Sequence, residues 1–131
     1  MEWINAKPIS EEEIITVQDE LGIELPQDYC TMILDINGAS LASAYYEDSV
    51  LGEIPYSSNL PLNRVSKINV FEMMERFQSE QKALFPFGSV GNGDYFCFDL
   101  STGTVVLWQH EIDEINYICD SFSSLMNNLK E

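Results

Sequence analysis

The chain has 131 residues, 45% of them hydrophobic and 11% aromatic, and its 22 Asp and Glu face only 6 Lys and Arg, for a formal net charge of −16. That apolar content excludes a disordered acidic tail and suffices for one folded domain spanning residues 1–131. The charge excludes phosphate backbones and anionic membrane surfaces as partners; it attracts basic ones and steers them in over distances near the Debye length.

The imbalance is not uniform. From Pro8 to Asn63, and again from Ala83 to Leu129, every Asp, Glu, Lys or Arg is acidic, while Arg64, Lys67, Arg76 and Lys82 all fall between. A partner-facing surface is therefore expected from the outer blocks. The opening Met-Glu-Trp-Ile-Asn has no basic n-region and no apolar h-region, and no stretch approaches the ~20 apolar residues of a spanning helix. Cys30, Cys97 and Cys119 are odd in number, widely spaced and set among apolar neighbours, which predicts inert buried thiols. Together these features predict a cytoplasmic protein.

The first helix starts at Ser10, whose S-x-x-E spacing to Glu13 makes a capping box, with Ile9 and Ile14 as a hydrophobic staple. Glu11, Glu12 and Glu13 suit the positive end of its dipole; Ile14, Val17 and Leu21 form its core stripe, and Gly22 stops it. Ile23 to Pro26 is an extended connector, because Pro26 pushes Leu25 out of the helical region. Pro26 opens a second helix lined by Tyr29, Cys30, Ile33, Leu34 and Ile36, which Asn37-Gly38 ends.

Leu41 to Glu47 reads as a strand through Tyr45 and Tyr46, and the stretch to Ser66 as a long loop with one short strand. Val70, Phe71, Met74 and Phe77 fall at helical spacing, with Met73 and Met74 as core filler. A β-meander occupies 84–110. Leu84 to Gly88 is its first strand, where Pro86 predicts an edge or a bulge. Gly91-Asn92-Gly93 is a turn, Asp94 to Leu100 a strand, Ser101-Thr102-Gly103 a three-residue loop and Thr104 to His110 the return. That loop sets Phe98 opposite Val106, Phe96 opposite Trp108 and Asp94 opposite His110, so Phe96, Phe98, Val106 and Trp108 share a core face. A last helix begins near Asp120 or Ser121, with Phe122, Leu125, Met126 and Leu129 at i, i+3, i+4 and i+7.

No catalytic motif is found. His110, the one histidine, has no Ser or Cys nucleophile set beside it by any pattern and is read as a rim ion pair with Asp94. Gly91-Asn92-Gly93-Asp94 lacks the Lys-Ser/Thr of a P-loop and opens a strand rather than a helix. No EF-hand loop and no basic-aromatic interleaving occurs, so no cofactor, no metal site and no direct nucleic-acid contact is predicted.

The pattern resembles the SUKH superfamily. Three pieces carry the likeness: Leu21-Gly22-Ile23-Glu24-Leu25-Pro26-Gln27-Asp28-Tyr29 with Asn37-Gly38; Phe87-Gly88, Gly93-Asp94-Tyr95-Phe96-Cys97-Phe98-Asp99-Leu100, Val105 to Trp108 and His110-Glu111; and Asp120-Ser121-Phe122. Ser40 to Ser66 matches none of it. The resemblance implies an α+β domain, mainly antiparallel, with helices packed around the sheet. It also implies a role: bacterial members look like immunity proteins that bind and neutralise a polymorphic-toxin domain, often a nuclease, and fungal members like regulators of cell-wall synthesis. The resemblance implies no enzyme activity.

The expected function is thus an immunity protein holding a basic, nuclease-like toxin, the alternative being a regulatory interaction module with a host partner. Candidate contacts are Glu47, Asp48 and Glu53 in the unmatched acidic segment and Glu111, Asp113 and Glu114 just past the hairpin. Asp94 and Asp99 fall in the family's hairpin motif, where turn and strand-end hydrogen bonding is the competing explanation.

Overall fold

The computed structural model describes residues 1–76 and 83–131. It has the α+β architecture expected, with two antiparallel sheets. In chain order the elements are α1 (Glu11–Leu21), α2 (Gln27–Ile36), β1 (Tyr45–Asp48), β2 (Gly52–Pro55), β3 (Ser58–Asn59), α3 (Val70–Arg76), β4 (Leu84–Ser89), β5 (Tyr95–Asp99), β6 (Val105–Gln109), β7 (Glu114–Cys119), α4 (Phe122–Asn127) and β8 (Leu129–Lys130). The larger sheet has the order β3-β4-β5-β6-β7 and the smaller one β2-β1-β8.

Local signals set the helix ends. The Ser10 hydroxyl accepts from the Glu13 N–H while the Glu13 carboxylate accepts from the Ser10 N–H, which satisfies two orphan donors of α1. Gly22 closes the helix at φ 67°, a conformation that favours glycine. Pro26 stands at the N-cap position of α2 without a side-chain bond, whereas the Ser121 hydroxyl caps α4 by accepting from the Ser124 N–H. The expected third helix is α3, with Val70 and Met73 buried; Phe77 lies outside the described residues.

The core forms where α2 and α4 meet one face of the large sheet. Tyr29 stands edge-on to Phe98 and Phe122 at centroid distances of 5.2 and 5.1 Å, and Phe87 stacks on Phe98 at 4.2 Å. Asp28 locks the helices together, because its carboxylate accepts from both the N–H and the hydroxyl of Ser123 in α4 at 2.9 Å. Burial pushes the Tyr29 phenol well above its usual pKa, and its hydroxyl has no hydrogen-bond partner among the described residues.

Three expectations are corrected. The β5–β6 loop runs over four residues, Leu100 to Gly103, because the Asp99 carbonyl accepts from both Thr102 and Gly103 and the Asp99 N–H closes on Thr104. The register therefore slips by one: Phe96 faces Leu107, Phe98 faces Val105 and Tyr95 faces Trp108. Val105 and Leu107, not Val106 and Trp108, complete the core ladder. The strand expected over Leu41 to Glu47 is the shorter β1, Tyr45–Asp48, and the stretch after it to Ser66 holds β2, which pairs with β1 as a hairpin, and the short β3, where a long loop with one short strand was expected. Helix α4 ends before Leu129, which pairs with Tyr46 in β8. Pro86 sits at the predicted bulge, which falls between Pro86 and Gly88; β3 pairs only with Gly88 and Ser89, so the missing Pro86 N–H is not needed there.

Candidate functional site

The site grows out of β7. This six-residue edge strand alternates Glu114 and Asn116 on one side with Ile115 and Tyr117 on the other. Tyr117 is 59% exposed, Ile115 45% and Ile112, in the turn before the strand, 58%. Large apolar side chains this open, gathered on one strand and its turn, form a patch rather than scattered surface residues.

Carboxylates frame the patch through specific contacts. The Asp94 Oδ1 accepts from the His110 main-chain N–H at 3.0 Å and lies 2.6 Å from the imidazole Nδ1, so the predicted pair forms despite the register slip. Gly93, at φ 99°, lets the ring approach; a Cβ there would lie 2.8 Å from its Cε1. The Trp108 indole N–H donates to Asp113 Oδ1 at 2.9 Å, with Asp113 at φ 50° in the turn, and the Trp108 and His110 rings lie 6.2 Å apart. Glu111 and Glu114 are exposed beside them. At the far end of β7 the Tyr117 hydroxyl donates to Asp120, and that bond pushes the Tyr117 phenol up to about 12.

The β1–β2 hairpin borders the same strand. Tyr46 OH reaches the Ile118 carbonyl at 3.5 Å, and a cleft of about 270 Å³ separates Asp48, Ser49, Val50 and Leu51 from Asn116, Tyr117 and Ile118. Asp48 holds the hairpin turn by accepting from Val50 and Leu51 N–H, both through Oδ2. Asp48, Asp94, Glu111, Asp113 and Glu114 thus gather around β7 and its turn.

The other candidates stand elsewhere. Glu47 and Glu53 face each other on β1 and β2, on the opposite side of the hairpin from Tyr46 and buried Ile54. Lys130 Nζ donates to Glu47 at 2.6 Å, and this bond holds the Glu47 carboxyl below its usual pKa. Asp99 lies at the other end of β5 from Asp94 and accepts from the Ser101 N–H and hydroxyl, which is turn chemistry. The strand β7 with Ile112, Ile115 and Tyr117 has no counterpart in the sequence reading; its signal was the alternation Glu-Ile-Asn-Tyr.

The helical side carries a groove of about 440 Å³ between α1 and α2, with Glu11, Gln18, Glu24 and Cys30 on its walls. Among the described residues no group of three or more His, Cys, Asp or Glu could hold a metal ion, and no helix is long and apolar enough to cross a membrane. The three cysteines are free, and burial pushes the Cys97 thiol well up.

Two antiparallel sheets and four helices among the described residues define an α+β domain. A profile of the SMI1 / KNR4 family (SUKH-1) matches residues 8–128, and the chain belongs to that family. No curated protein matches the sequence closely. Membership is consistent with an immunity-protein-like module. Several of the family-like residues serve the scaffold here: Asp28 bridges α2 to α4, Asn37 accepts from the Leu62 N–H and donates to the Lys7 carbonyl, and Gly88 lies under the Tyr56 ring.

Proposed function

We propose that this protein is an immunity protein that binds and neutralises a cognate toxin domain, basic and nuclease-like, in the cytoplasm, and that it acts by binding rather than by turnover. The observation that carries this reading is the patch of Ile112, Ile115 and Tyr117 bordered by Asp48, Asp94 and Asp113, with exposed Glu111 in the same turn and Glu114 on the other side of the strand. Exposed aromatic and aliphatic groups inside a charged rim are the anatomy of an interaction hot spot. A nuclease presents a basic cleft to its substrate, and a rigid acidic body competes for that cleft. The −16 charge supports fast capture, with association rates up to ~10⁸–10⁹ M⁻¹s⁻¹ at low salt. Glu47, Glu53 and Asp99 contribute to the long-range field and not to the contact.

Co-expression with the product of the neighbouring gene tests the role. Growth should stop with that product alone and resume with both. Association should slow at least about tenfold between 50 and 500 mM salt; a salt-independent rate overturns the electrostatic part. Joint reversal, Glu111→Lys with Glu114→Lys, should weaken binding at least about tenfold. Unchanged binding would transfer the interface to another face, with Glu11 and Glu24 of the helical groove next to be reversed.

A further inference from the structure

We propose that the partner engages this protein by adding a strand to the free edge of β7, and that the segment it adds alternates basic and apolar residues. This rests on the reading above that the chain works by holding a basic protein.

The pairing pattern shows which main-chain groups are open. The Asp99 N–H donates to the Thr104 carbonyl, and hydrogen-bonded pairs recur every second residue along an antiparallel ladder. Val106 and Trp108 therefore point their N–H and C=O toward β5, while Leu107 and Gln109 point theirs toward Asn116 and Glu114 of β7. Ile115 and Tyr117 are left with main-chain groups directed outward, at the end of the strand order. No main-chain group among the described residues pairs with them across that edge. The same two residues expose their side chains.

The sides of β7 set the chemistry of the added strand. A strand laid beside it places alternate residues on the two sheet faces. On one face they meet Ile115 and Tyr117, which reward apolar side chains; on the other they meet Glu114 and Asn116, where Lys or Arg pairs with the carboxylate. At the Tyr117 end the cleft beside the β1–β2 turn can take a long basic side chain, because Asp48 uses Oδ2 for its turn and Oδ1 accepts no hydrogen bond among the described residues. A second copy of this chain is the competing occupant of any free edge. Its charge of −16 and the acids at both ends of β7 oppose that pairing and select a basic partner.

The probe is a capped octapeptide of alternating lysine and valine, compared with its fully N-methylated counterpart. Methylation keeps every charge and side chain but removes the N–H donors. The parent peptide should bind, and the methylated one at least tenfold more weakly. On binding, the Ile115 and Tyr117 amides should gain at least tenfold protection from hydrogen exchange, while the Ser58 amide of the opposite edge stays unchanged. Ile115→Pro, whose lost N–H faces outward, should leave the fold intact and abolish the protection of the Tyr117 amide; if this variant unfolds, the methylated peptide still decides. Equal binding of the two peptides, protection elsewhere, or self-association of the free chain through β7 overturns the proposal. Capture of the peptide at β7 without rescue of growth would sink the toxin reading alone. Rescue of growth with Ile115 and Tyr117 amides unprotected in the complex would sink the strand addition alone.

Discussion

The two edges of the large sheet are finished in opposite ways. At the β3 edge, Ser58 is bridged to Ser40 and Ser40 in turn to Ile4, while Leu41 N–H donates to the Ser57 carbonyl and Asn59 N–H to Ala39. The Asn59 side chain, fully buried, donates to the Ile36 carbonyl and accepts from the Tyr56 hydroxyl at 2.5 Å. At the β7 edge no comparable cover exists among the described residues, and Ile115 and Tyr117 face solvent. The contrast follows from solvation. A buried polar group must find a protein partner, whereas water satisfies an exposed edge, which then stays available for another chain. The β3 edge is part of the stability of the fold; the β7 edge is held open on it.

This contrast can be broken by experiment. The largest effect should come from Gly88→Ala in β4, next to the closed edge. A Cβ there would lie 2.5 Å from the Tyr56 hydroxyl and 2.6 Å from its ring, so the ring and the Asn59 bond must move. A loss of about 3 kcal/mol is expected in urea denaturation. Asn59→Ala strands the Tyr56 hydroxyl and should cost about 2 kcal/mol. Ile115→Thr at the open edge should stay within about 0.5 kcal/mol. Equal losses at the two edges would show that β7 is structural and not reserved for a partner.

Tyr29→Phe sharpens the account of the core beneath both edges. It removes a buried hydroxyl that has no partner among the described residues and keeps the ring among Phe85, Phe98 and Phe122. Stability should be unchanged or rise by about 1 kcal/mol, and a fall of that size would reveal a bond to that hydroxyl.

The smallest effect belongs to pH. The bond to Asp120 raises the folded pKa of Tyr117 from 10.0 to about 12. Its contribution is present in full below the unfolded value and is lost as pH rises through the folded one, between about 10 and 12. Ultraviolet titration of the Asp120→Ala variant should return one phenol toward its ordinary value. Absence of such a change would mean that Asp120 does not anchor Tyr117 at the end of the edge.

Local chemistry was readable ahead of the structure wherever a few adjacent residues carry it. Ser10 with Glu13 makes its box within one turn, Gly22 and Ser121 mark helix ends, and the Asp94–His110 pair survives even a misjudged register. The register itself was not readable, because Val105, Val106 and Leu107 are all buried and β6 offers no apolar-polar alternation to choose between slips. The choice fell to Asp99, whose carbonyl draws in both Thr102 and Gly103. The return strand β2 and its pairing with β1 escaped notice for a related reason: a four-residue strand is too short to establish a period.

The family-like residues and the candidate interface also differ in kind. Asp28, Asn37 and Gly88 can be recognised in sequence because fixed contacts in the core demand those residue types. Glu111 and Glu114 are exposed to solvent, so their neighbours give no such constraint. Charge, helix ends, the inventory of apolar residues and kinship were therefore determined by the sequence alone, since each depends on composition or on residues a few positions apart. Which strand lies at an open edge, which acids surround it and which merely hold turns were decided by the tertiary structure. Those facts depend on contacts between segments far apart in the chain, as when Asp48 comes to border Tyr117 across the cleft.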